Sequence, residues 1–222
     1  MTRWHLHSLN ARNALTLLLP ALRATGNRAV ALAGAAAVLP PFDLVVRAGA
    51  QGSAPMARAT APGVIDLILD PARWDEGRVL RLLLPALMQM MRLDGPGPAV
   101  TLGETLVERG LAGHFVVQVL GDLPGADVPP APAHGLAGRA LRDWGARDFD
   151  PGLWFDGTGD LPPRAGQDLA FALISRHFAR HPDATAGSLA REGAETFRAT
   201  LRAMTVGDGM KPAGRTPTER PG

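Results

Sequence analysis

The sequence predicts an α+β domain, mostly helical, with a small β-sheet built from its N-terminal third. Three observations carry this. Short runs rich in strand-forming residues all fall before residue 70. From residue 79 to 120, two helical runs flank one Gly/Pro turn, Asp94-Gly95-Pro96-Gly97-Pro98. Beyond that, helical segments alternate with Pro-rich stretches.

In chain order, Trp4-His5-Leu6-His7-Ser8-Leu9 alternates and reads as a short strand. A helix is expected over residues 11–24, with Asn10 as N-cap and Pro20 as a kink or early stop. The Ala-rich residues 27–38 continue in helical composition up to Pro40-Pro41. Residues 42–47 (FDLVVR) and 63–69 (GVIDLIL) are strands, and residues 49–62 between them read as a loop. The helix over residues 76–92 is apolar nearly all round, so it should be buried, with Pro85 breaking or kinking it. The next helix, over residues 100–120, opens on a capping box, Thr101 with Glu104. Helices are expected over 134–146 and 166–181, and a last helix, or a short turn plus a helix, over 186–204; Trp154 and Phe155 anchor the irregular stretch 148–164.

Composition places one globular domain over residues 1–204 and a disordered tail over 205–222. Hydrophobic residues make up 46% of the 222 and charged ones 20%, which is enough apolar surface for a core. The net charge is only +2, and the pI of 10.2 reflects how little titrates above histidine: no Cys, no Tyr and one Lys, Lys211. Without a basic block or interleaved aromatics, nucleic-acid binding is not expected. Absence of Cys removes disulfides and thiolate chemistry. The apolar stretch at 15–22 is too short to span a membrane and is flanked by Arg12 and Arg23, so a soluble, cytoplasmic protein is expected.

Candidate chemistry is sparse. His177 and His181 are spaced i, i+4 on one helix face, which suits a metal, yet a helix C-terminus before Pro182 explains them equally well. His5 and His7 share one face of a strand, again with ligand spacing, though a face packed under a helix is the commoner reason. Glu104 and Glu108 form an i, i+4 carboxylate pair, and together with His114 they are the candidates for any residual site. Capping accounts for Glu104, and Arg109 is a ready partner for either carboxylate. No serine lies in a nucleophile elbow, and Gly157-Thr158-Gly159 is no phosphate cradle.

Several segments, in order, resemble a bacterial family of predicted zinc-dependent proteases whose domain carries no established function. They are Trp4 to His7 with Leu9 to Arg12, then Arg92 to Gly97, and then Thr101-Leu102-Gly103-Glu104 with Gly110-Leu111-Ala112-Gly113-His114-Phe115. Trp154-Phe155, Gly159-Asp160-Leu161-Pro162 and Gly166 complete the set. The resemblance implies a zincin-like fold and one zinc ion held by an H-E-x-H-H segment and a later Glu. Counted back from Arg92, the first ligand position is Pro85, the general base Ala86 and the second ligand Gln89, with the extra His at Met88. The third ligand position is Arg109.

Pro and Ala offer no donor atom, Gln is a poor zinc ligand, and Arg places a cation beside a dication. The resemblance therefore implies a pseudoenzyme that has lost its zinc and keeps a binding or structural role, with an unknown protein or peptide as partner. An active metallopeptidase with other ligands, or a structural subunit of a larger assembly, are the alternatives. A sharper expectation is that Arg109 replaces the metal's charge, pairing with Glu104, Glu108 or Asp94.

Overall fold

A computed structural model describes residues 2–121 and 132–208. The α+β expectation holds: the chain is 54% helical with one small mixed sheet at its N-terminus. The strands are β1 (Trp4–Leu9), β2 (Phe42–Ala48), β3 (Met56–Ala61) and β4 (Val64–Leu69). Their spatial order is β1-β2-β4-β3. β1 and β4 each run parallel to β2, and β3 pairs antiparallel with β4 as the far edge.

The helices are α1 (Leu19–Ala36), α2 (Glu76–Asp94), α3 (Leu102–Leu120), α4 (Leu136–Arg142), α5 (Ala165–Arg180) and α6 (Glu195–Asp208). Alternation sorts the sheet into two faces. Phe42, Leu44 and Val46 of β2 and Ile65, Leu67 and Leu69 of β4 point into the core. The opposite face carries His5, His7, Asp43, Val45, Asp66 and Arg58, which are half-buried or exposed.

Three expectations are corrected. Residues 49–62 are not a loop throughout, because β3 lies within them. Its core-facing side chains are alanines, so its apolar period is faint, while Gly52 and Gly63 turn the chain at either end with φ of 79° and 72°. Residues 11–24 are not one helix. Two short 3₁₀ turns precede α1, and Pro20 sits in the first turn of α1, where a missing N–H costs nothing. Asn10 holds that bend by accepting the Leu15 N–H at 2.7 Å and donating to the Thr16 hydroxyl at 2.9 Å.

Pro85 does not break the helix that holds it: α2 is continuous from Glu76 to Asp94. Ten of its residues are buried, Met88, Met90 and Met91 among them, so tertiary packing outweighs the local penalty of proline. The last segment takes the form of turns followed by a helix, which runs from Glu195 past Met204 to Asp208. The rest of the expected tail, residues 209–222, lies outside the described residues.

The shared motifs are largely places of close approach. A Cβ at Gly110 of α3 would stand 2.3 Å from the Ala170 carbonyl of α5, so glycine alone lets these helices pack at that distance. A Cβ at Gly103 would meet the Trp144 ring at 2.4 Å. Trp154 and Phe155 are buried in a π-helical turn, Gly152–Asp156. The turn after α2 is closed by Gly95 and Gly97 N–H groups, which both donate to the Arg92 carbonyl.

Candidate functional site

The centre of interest is where α2, α3 and the edge strand β3 meet. Pro85 and Gln89 are one turn apart on α2, so they share a face. The Gln89 amide spans two elements. Its Oε1 accepts the Ala59 N–H of β3 at 2.9 Å, and its Nε2 donates to Glu108 Oε1 of α3 at 3.0 Å. Ala59 is buried, so this bond supplies a partner to a backbone group shielded from water.

Glu108 is thus aimed at residue 89. Burial pushes its carboxyl above the usual range, and the Gln89 bond and the cations of Arg92, Arg109 and Arg58 offset part of that rise. Arg92 is buried, and its Nη1 donates to the Ala190 and Glu192 carbonyls at 3.3 and 3.1 Å. It fixes the last turn of α2 to the segment that precedes α6.

Of the three carboxylates expected near Arg109, Glu108 alone bears on its charge. The Arg109 guanidinium lies 3.8 Å over the Phe155 ring, a cation–π contact, although much of the residue is exposed. Glu108 and Asp156 are the carboxylates that bear on its charge. Asp94 is instead paired with Arg191 at 3.0 Å, and Glu104 is used in capping, so neither is the partner of Arg109.

Glu104, Glu108 and His114 do not converge. Glu104 completes the capping box, accepting the Val100 and Thr101 N–H groups at 2.9 Å each. Burial opposes its charge, but these bonds, the Thr101 hydroxyl and Arg147 together hold its carboxyl below the usual range. His114 faces α5, stacked on Phe171 at 3.9 Å, with Nε2 near the Phe171 carbonyl at 3.0 Å and the Ser175 hydroxyl at 3.1 Å. Burial lowers its pKa, and the Phe171 carbonyl partly restores it.

The other histidines divide between core and surface. His177 is buried, its Nδ1 lies 3.2 Å from the Thr200 hydroxyl, and its ring is 4.6 Å from Phe197. His181 is the C-cap of α5 and exposed, with its ring 4.4 Å from that of His177. His5 and His7 are exposed on the open face of the sheet, not packed beneath a helix as expected. Among the described residues, no three His, Asp or Glu side chains stand arranged to hold a metal ion.

The residues at the positions to which the resemblance assigns a zinc ion do not fit one. Pro85 and Ala86 bring no donor, both ends of the Gln89 amide are engaged, and Arg109 brings a positive charge against Phe155. The role of Gln89 and Glu108 as a bridge was missed from sequence. The i, i+4 pair drew attention to Glu108, but only the packing of α2 on α3 and β3 reveals its partner.

The described residues also form concavities. One of about 330 Å³ is lined by Arg92, Pro96, Thr101, Glu104, Trp144 and Glu195. The larger groove, about 1150 Å³, lies between the start of β1 and the second half of α1, and none of residues 85, 89, 108 or 109 lines it. No family model, no curated protein and no solved structure matches the chain. No described helix is long and apolar enough to cross a membrane.

Proposed function

We propose that this chain is a catalytically inactive, cytoplasmic homologue of a zinc-dependent metalloprotease, zincin-like in fold, that serves a binding or structural role. The observation that carries the reading is the Gln89 bridge. At the second-ligand position a side chain joins β3 to α3 through two hydrogen bonds, in the space where a metal would need free donors. Its support comes from position as well. Residues 85, 86 and 89 lie on the same buried helix, and Glu108, next to the third-ligand position, reaches residue 89. The partner is a protein or peptide, and strand addition at a sheet edge is the natural mode. β1 is the edge better suited to it, because Gln89 already takes a backbone N–H of β3.

Refilling the site tests this. The chain P85H/A86E/Q89H/R109E is expected to bind one more equivalent of zinc than the native chain, measured by elemental analysis after dialysis. If the refilled chain folds by circular dichroism yet takes up no additional zinc, positions 85, 89 and 109 are not a former metal site. Peptide hydrolysis by the native chain, abolished by a chelator, would overturn the reading from the other side.

A further inference from the structure

We propose that His5, His7 and Asp43, on the open face of the sheet, form a binding site for a divalent transition-metal ion of the zinc class. The site is separate from residues 85, 89 and 109 and does not depend on how they are read.

Strand alternation supplies the first part. His5 and His7 are two residues apart on β1, so both project from the same face, and both are exposed. Register supplies the second. Asp43 of β2 is the direct partner of His5 across the parallel pair β1–β2, so its side chain stands on that face too. Two imidazoles and a carboxylate suit zinc, with water free to take a fourth position.

The distances then decide how nearly the site is formed. His7 Nε2 lies 3.0 Å from Asp43 Oδ1. Two donors that each sit about 2.0–2.1 Å from one tetrahedral zinc lie roughly 3–3.5 Å apart, so an ion can replace the proton between these two with little movement. The His5 and His7 ring centroids are 6.3 Å apart and tilted by 51°. Rings that share such an ion lie about 5 Å apart. The gap explains why these three side chains, like any others among the described residues, are not arranged to hold an ion as they stand. A torsional change in His5, which is exposed, closes it.

The backbone beneath is firm. Trp4 stacks on Phe42 at 6.0 Å, and Leu44 beside them is in the core. The ligands are therefore borne by paired strands rather than a loop, which favours a defined geometry. Other charges on this face are Arg47, one pair beyond Val45 on β2, and Asp66 and Arg58 in the row of His7. An ordinary surface ion pair would account for His7 and Asp43 but gives His5 no part. The other histidine pair is less available, since His177 is buried and committed to Thr200.

Titrating zinc chloride into the untagged full chain, followed by calorimetry and by NMR of the histidine ring protons, tests the site. One saturable equivalent is expected, with the His5 and His7 resonances shifting together. H5A, H7A and D43N should each weaken binding at least about tenfold, the smallest effect usual for losing even a ligand's outer partner. H181A should leave it unchanged. Absence of saturable binding, binding that H5A and H7A leave intact, or binding lost in H181A would each overturn the proposal. If H7A or D43N fails to fold, H5Q remains decisive, because His5 is exposed and its loss leaves the His7–Asp43 pair in place.

Discussion

At residue 89 a single amide does the work of two connections. Gln89→Ala removes the partner of a buried backbone N–H and should destabilise the fold by about 1–3 kcal/mol, read from urea denaturation. The neighbouring carboxylate gives a pH signature. The Glu108 carboxyl is raised by burial, so its contribution to stability is greatest in acid, below its unfolded value, and is lost as pH rises through its folded value. Glu108→Gln keeps an acceptor for Gln89 without the charge. Its stability relative to the native chain should improve as pH rises through the carboxylate range, as thermal melts at a series of pH values will show. An opposite trend would mean that the arginines, not burial, govern the group. The capping role of Glu104 was legible in sequence because a capping box is a local pattern. The Gln89 bridge was not, because its two partners lie 30 and 19 residues away along the chain.

Among the elements, the contact of α3 with α5 is the most exacting. Gly110→Ala would drive a methyl group against the Ala170 carbonyl and the Ile174 side chain, at an expected cost of about 1–3 kcal/mol or more. Gly34→Ala is its counterpart on α1. That residue is exposed in a helix with nothing within 4 Å of the added Cβ, so a gain of about 0.4–1 kcal/mol is expected. Calorimetric melts of both variants check the pair. Strong periodic elements were readable: β1, β4, α2 and α3 fall within two residues of the expected bounds. β3 was hidden because alanine carries little of the apolar alternation that marks a strand. Pro85 misled for the opposite reason. A local rule predicts a break, but a helix buried along most of its length holds through it.

The molecule as a whole carries two histidines that favour the neutral form. His114 and His177 both have lowered pKa values, chiefly from burial, and in His177 also from His181 and Arg180. A base with a depressed folded pKa supports the fold above its unfolded value, about 6.5, and loses that support as pH falls through the folded value. Stability should therefore decline as pH falls from about 7 toward 5. His177→Asn, which cannot take up the proton, should flatten that part of the curve at the cost of some packing against Phe197. The α+β class was legible because strand runs cluster before residue 70 and helical runs follow. Of the candidate site, the sequence shows Gln89 and Glu108 as residues, but their meeting with each other and with Ala59 is set by tertiary packing.

The Gln89 bridge also governs how changes here combine. An imidazole committed to a metal has one ring nitrogen left, where the amide served two partners. A histidine at 89 that bound an ion would therefore leave either Ala59 or Glu108 without its bond. Substitutions at 59, 89 and 108 are therefore coupled, and their effects on stability will not add.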